Sequence, residues 1–223
     1  MAASPSAGQK RAYDPIATRG RFLDVAAAAF QSRGYHATSM HDIMHAADAT
    51  GGALYHHFSS KKALGLAVIR ERVAKDVETT CIEPVRSART ATDGILSVFD
   101  RIITELDGRR TILGCPLNNL ALELSLADPD FRTAVDDLFG RWRAAIAQRV
   151  RDDRSAGRLD DVDAEALAAF VVAAFSGAMA QAKAAQNTVP LKACAQQLSR
   201  LIKPLRQGTA GRASRSARRR AAP

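Results

Sequence analysis

Apolar residues recur three and four positions apart through most of the chain, and the breaks between these stretches fall at caps, glycines and prolines. Asp14-Pro15 opens the first predicted helix, with Asp as N-cap and Pro at the first helical position. Phe22, Ala26, Ala29 and Phe30 share a face of it, and Gly34 stops it. Ser39, with Asp42 three residues on, caps a short helix lined by Met40, Ile43, Met44 and Ala47. Asp48 and Ala49 fill a turn. Thr50 caps a second short helix, carrying Ala53, Leu54, Tyr55, His56 and His57, and Ser60 caps the next. Helices this short are unstable alone and must be held by neighbours. The spacing is that of a helix-turn-helix, whose second helix enters the DNA major groove. The helix after Ser60 carries Leu64, Val68, Ile69 and Val73. It is expected to end near Glu83, because Pro84 disfavours α geometry before it, leaving 84–90 as a connector.

Five longer patterns follow. Ala91 to Leu106 places Ile95, Val98, Phe99, Ile102, Ile103 and Leu106 on a wide stripe. Pro116 starts a helix with Leu117, Leu120, Ala121 and Leu124. Asp128-Pro129 starts another, running to about Ala156 with Phe131, Val135, Leu138, Phe139, Trp142, Ile146 and Val150 inward. Asp163 to Gln186 is rich in alanine, and Pro190 to about Arg206 has leucines close to a 3.5-residue repeat. The predicted fold is all-α with about nine helices. A three-helix helix-turn-helix domain spans 14–60, and a larger regulatory and dimerisation bundle spans 61–206. Residues 1–13 and 207–223 are small, polar and basic, and read as a disordered arm and tail.

Composition supports the helical reading, since 47% of residues are hydrophobic but only 5% aromatic. No apolar run approaches bilayer length and no signal-peptide pattern opens the chain, so no membrane contact is expected. Three dispersed cysteines fit a reduced, cytoplasmic protein rather than a disulfide framework or zinc site. Charge is distributed unevenly. Residues 1–75 hold ten Lys/Arg and five Asp/Glu, residues 76–202 hold fifteen and eighteen, and residues 203–223 hold seven and none. A basic first third on a mildly acidic body is the footprint of a DNA-binding domain joined to one that does not touch DNA.

The stretches FLDVAAAAFQSRGYHATSMHDIMHAAD (Phe22 to Asp48) and GALYHHFSSKKAL (Gly52 to Leu64) resemble the DNA-binding domain of TetR-family transcriptional regulators, feature by feature and in order. The resemblance implies a homodimer paired through the last two helices, a palindromic double-stranded operator and a small-molecule effector. It also implies a repressor released when the effector binds the larger bundle. By the same resemblance Thr50, Gly51, Ala53, Tyr55, His56, His57 and Lys61 line the DNA-facing surface, with Met40 and His41 near the backbone. The residues themselves agree. Gly51, Gly52 and Ala53 are too small to block close approach, Thr50 offers a hydroxyl to a phosphate, and Lys61 is a point charge at a helix start. Many members carry Lys where Gly51 stands, so Arg19, Lys10 and Arg11 are expected to compensate. Tyr55 and His57 could instead pack within the small bundle.

Other chemistry is thinly represented. His41 and His45 stand at i, i+4, a chelating spacing, but no third ligand is near and no metal or other cofactor is expected. No nucleophile elbow or phosphate loop appears, so no enzyme is expected. Cys115 precedes Pro116 at a predicted helix N-terminus, where a thiol pKa is lowered and where Arg109 and Arg110 would help. The run G-C-x-x-x-N resembles a TetR subgroup with thiol sensors, making electrophile or oxidant sensing through Cys115 an alternative to a bound effector; packing in a turn is the plain reading. Phe99, Ile103, Cys115, Leu117, Asn118, Trp142, Phe175 and Met179 are candidate walls of an apolar effector pocket. An all-α enzyme or carrier, and a non-specific DNA binder, are the competing classes.

Overall fold

The computed structural model describes residues 14–203 and 205, and all statements of structure below concern these residues. The expected arm, with Lys10 and Arg11, and the expected basic tail lie outside them. The described residues form nine helices and no strand. The first three are α1 (Pro15–Arg33), α2 (Met40–Ala46) and α3 (Gly51–His57). Each start is fixed by the side chain expected there. Asp14 accepts from the Ile16 and Ala17 amides, Ser39 and Asp42 form a reciprocal capping box, and Thr50 accepts from the Ala53 amide. Phe22, Leu23, Ala26, Phe30, Ile43, Leu54 and Phe58 are buried together, so the three helices share one apolar centre.

The fourth helix, α4, is continuous over 61–87 and differs from expectation. It consists of Lys61–Val68, a π turn Ile69–Val73, Ala74–Val77, a second π turn Glu78–Ile82, and Glu83–Ser87. Pro84 does not end it. Pro84 lacks the N–H an α turn would use, and the wide π turn just before it relieves the ring clash with the preceding carbonyls. The connector is therefore only 88–90, with Ala88 extended. A buried clasp closes it. Asp153 accepts from the Ala91 amide at 2.6 Å and from Arg158, while Arg149 donates to the carbonyls of Ala88 and Arg89.

The bundle continues with α5 (Ala91–Asp107), α6 (Pro116–Leu124), α7 (Pro129–Ser155), α8 (Ala164–Ala185) and α9 (Val189–Ile202). The expected end of the last, Arg206, lies outside the described residues. Phe99, Trp142 and Phe175 meet edge to face at its centre, with centroids 5.2–5.3 Å apart. One expectation is corrected here: α8 is long and apolar enough to cross a bilayer. One face of it, with Ala168, Val171, Val172, Phe175, Ala178, Met179 and Ala182, is buried against the bundle.

The helix-turn-helix is joined to this bundle at Tyr35. Gly34, at φ 93°, turns the chain after α1 in a conformation other residues resist. Glu123 on α6 then accepts from the amides of Tyr35 (2.9 Å) and His36 (2.7 Å). The Tyr35 ring meets Phe30 and Phe131, each at 5.1 Å. Gly65 lets α4 press onto this group, since a Cβ there would lie 2.8 Å from Tyr35 and 3.0 Å from Phe131. Lys62, on the same helix, pairs with Asp128 (2.6 Å) and Asp130 (2.7 Å) at the start of α7. Gly65→Ala is expected to destabilise the protein by about 1–3 kcal/mol through overpacking, read from a denaturant midpoint; an unchanged midpoint would show that the joint has slack.

Candidate nucleic-acid interface and internal cavity

The short helix α3 turns Leu54 inward at 1% exposure and leaves Gly52, Tyr55 and His56 on one open face. Tyr55 is 58% exposed, so it does not pack in the small bundle. Nothing lies within 4 Å of a Cβ built on Gly52, which leaves its backbone open to a ligand surface. Gly51 sits close to Met44 of α2, Ala53 is half-buried, and Thr50 is exposed with its hydroxyl engaged as the cap. His57 is half-buried, with its ring 6.1 Å from Phe22 and 5.2 Å from His56. Burial first, then the neighbouring His56 and Arg19, push its pKa below the usual histidine value. On α2, Met40 is half-buried and His41 exposed, and the Nε2 atoms of His41 and His45 lie 3.1 Å apart. No third His, Cys, Asp or Glu joins them among the described residues.

The expected compensating cation is partly exposed but ion-paired. Arg19 binds Glu71 of α4 in a two-pronged pair, at 2.7 and 2.5 Å, and lies over the Phe58 ring. It ties α1 to α4 instead. Its partner was beyond sequence reasoning, because fifty-two residues separate the two. Lys61 is also engaged: its ammonium donates to the His36 carbonyl at 3.2 Å and sits 4.4 Å from the Tyr35 ring centre. Burial lowers its pKa, with Glu123 and Asp42 opposing.

A cavity of about 330 Å³ lies deeper, between α4, α5, the loop before α6, and α8. Four predicted residues line it: Cys115, Leu117, Phe175 and Met179. The other four do not. Phe99 and Trp142 stand behind Phe175, Asn118 donates to the Ser176 carbonyl at 3.4 Å, and Ile103 faces an outer groove beside Lys192. The wall the sequence reading missed is α4, which contributes Val73, Asp76, Val77, Thr80 and Cys81. Its π turns place these residues, and no hydrophobic period reveals a π turn in advance. The rim is more polar than expected, with Asp76 and an ion pair of Arg109 with Glu105. Burial pushes the Asp76 carboxyl up from its usual value.

Cys115 lies at the N-terminus of α6 as expected, but its thiol is not acidified. Burial among protein atoms raises its pKa and outweighs the Asn118 and Leu117 amides, which act to lower it. Arg109, expected to assist, is held by Glu105. Cys81 faces the same cavity, and burial drives its pKa strongly upward as well. The cavity touches the reading head through one polar chain. Gln31 of α1 donates to the Gly114 carbonyl at 2.7 Å and accepts from Asn119 of α6 at 3.2 Å. Lys183 of α8 donates to Asn119.

Two family models match this chain. One is described as bacterial regulatory proteins, tetR family, and covers residues 22–68. The other, described as transcriptional regulator LmrA/YxaF-like, C-terminal domain, covers residues 91–197. The chain belongs to the TetR family. It resembles the HTH-type transcriptional repressor DhaR of Mycobacterium sp. (strain GP1), 28% identical over 78% of this chain and 86% of that protein. It also resembles the uncharacterized regulator YxaF of Bacillus subtilis (strain 168), 25% identical over 83% of this chain and 95% of the other. Among solved structures, a TetR regulator from Chloroflexus aurantiacus superposes with a TM-score of 0.74 at 28% identity, covering 83% of this chain and 93% of that one. Like other TetR members, this protein is a DNA-binding transcriptional regulator. Tyr55→Ala is expected to leave stability within about 0.5 kcal/mol of the parent and to weaken duplex binding about tenfold, read by fluorescence anisotropy; unchanged affinity would remove α3's open face from the interface.

Proposed function

We propose that this regulator is a homodimeric repressor that places one α3 in each of two successive major grooves of a palindromic operator. A small molecule entering the 330 Å³ cavity releases it. DNA as partner implies the compartment that holds the chromosome, the cytoplasm of a bacterium. The observation that carries the effector reading is that one helix, α4, forms a cavity wall at Val73 to Cys81 and the base of the reading head at Lys61 and Gly65. A ligand that binds better to one spacing of α4 against α1 shifts the population towards that spacing, and only by its difference in affinity. The apolar floor of Leu117, Phe175 and Met179 suits an apolar or aromatic body of modest size. Modification of Cys115 is the weaker reading, because both thiols in the cavity are held protonated.

Dimerisation is inferred from α8 and α9. Ala166, Ala169, Phe170, Ala173, Gly177, Ala180 and Ala184 make an unbroken exposed stripe along α8, and Leu201 is 58% exposed on α9. Small residues at that spacing permit close helix approach, and a stripe of this length is an interface signature. Gly177, with open space around it, stands in its middle.

Two variants separate the parts of this reading. Gly177→Glu is expected to convert the protein to a monomer in sedimentation while its circular dichroism stays helical, and to weaken operator binding by at least about tenfold; a dimer of parental affinity would place the interface elsewhere. Thr80→Trp fills the cavity from its α4 edge. Compounds that release the parent from DNA should fail to release this variant, with operator affinity kept. Equal release of both would move the effector site away from this cavity.

A further inference from the structure

All five histidines of the chain fall between residues 36 and 57, and between Arg33 and Lys61 there is no lysine or arginine. The only other ionisable carriers of charge there, apart from Tyr35 and Tyr55, are Asp42 and Asp48. With neutral imidazoles residues 34–60 are thus formally −2, and with all five protonated they are +3. This is an unusual balance for a surface that must lie against two phosphate backbones, whose attraction for Lys and Arg supplies most non-specific affinity. Three of the cations at its borders are engaged within the protein, while Arg33 at the end of α1 is exposed. Arg19 is held by Glu71, Lys61 by the His36 carbonyl and Tyr35 ring, and Lys62 by Asp128 and Asp130.

We propose that histidine protonation supplies the positive charge of this DNA-binding surface, so that operator binding takes up protons and tightens as pH falls.

This rests on the assignment of α2 and α3 to the DNA interface. His36, His41, His45 and His56 are exposed, and His57 is half-buried. They pair locally, with His41 and His45 centroids 4.3 Å apart and His56 and His57 5.2 Å apart. A phosphate beside a pair stabilises an imidazolium and accepts its N–H. His41 has Asp42 on its own helix and Arg33 near that carboxylate at the end of α1. His36 faces Lys61 of α4, and its amide meets Glu123 of α6. His57 faces Arg19 of α1, itself neutralised by Glu71 of α4. Burial against Phe22 holds His57 towards the neutral form in the free protein, which leaves it room to take a proton from solvent when a phosphate anion lies beside it.

The sign follows from linkage. If the complex binds more protons than the free partners, its association constant rises as pH falls, tenfold per pH unit for each proton taken up. Histidine is the side chain that titrates between about pH 5 and 8.

The test uses the full-length protein, a duplex of about 30 base pairs recovered by selection from genomic fragments, and a random duplex of equal length. Affinity is measured by anisotropy at about pH 6 and pH 8 at fixed salt. Binding to both duplexes is expected to be at least tenfold tighter at the lower pH, with a steeper salt dependence there. His41→Gln with His45→Gln, and separately His56→Gln, keep polar side chains at exposed positions and are expected to flatten the pH profile. His56→Lys is expected to hold tight binding at the higher pH. Sedimentation and circular dichroism at both pH values check that dimer and fold are constant. An affinity independent of pH, or a slope that survives in the glutamine variants, overturns the proposal while leaving the DNA-binding assignment intact. Absence of binding to either duplex at both pH values would instead overturn the assignment of the surface.

Discussion

The structure depends on the close approach of α4 to Tyr35 and Phe131 at Gly65. Several of the contacts between the helix-turn-helix and the body converge there. The Tyr35 amide is capped by Glu123 from α6, its ring is clamped between Phe30 and Phe131, and Lys61 lies over its face. One turn away, Lys62 bridges to the first turn of α7. A helix-turn-helix whose α2 and α3 are seven residues each has little cohesion of its own. Its orientation is therefore inherited from α1, α4 and α6, which also border the cavity or carry the polar chain through Gln31 and Asn119. Interfaces packed this closely switch between discrete arrangements rather than deforming smoothly, as a ligand-controlled joint requires.

The cavity and the interface use opposite means. The cavity is shaped by apolar side chains and guarded by a polar rim of Asp76, Glu105 and Arg109. Its two thiols are buried deeply enough to stay protonated despite a helix N-terminus beneath Cys115. Desolvation there is the larger force, and it bears on any chemistry that needs an ion inside. The two short helices α2 and α3 have little burial of their own, and Tyr55, His56 and Gly52 lie open.

Much of this was legible in sequence, for a physical reason. Caps and helical periods are local, and Asp14, Ser39, Thr50, Ser60, Asp128 and Asp163 all cap the helices that follow them. The pairing of His41 with His45 follows from helix geometry alone. What stayed hidden is non-local. Arg19 looked like a free cation because Glu71 is far away in the chain. Pro84 looked like a terminator because a π turn cannot be foreseen from composition. Trp142 and Phe99 looked like pocket walls because inward-facing aromatics do not say which of them border empty space.

The two π turns of α4 carry a consequence for how this helix tolerates change. A π turn houses one residue more than the α turn it replaces, so each is a local reserve of chain within an otherwise regular rod. Loss of a single residue from Ile69–Val73 or Glu78–Ile82 can be absorbed by converting that segment to α geometry, without shortening the helix by a turn. The residues beyond it would keep their phase around the axis, and Val85 would still meet α5. A deletion of one residue between Lys61 and Val68 has no such reserve and would rotate Lys61 and Lys62 by about 100° relative to the bundle. Length variation among related chains should therefore concentrate in the two widened segments, where the helix can take in or give up a residue and remain in register.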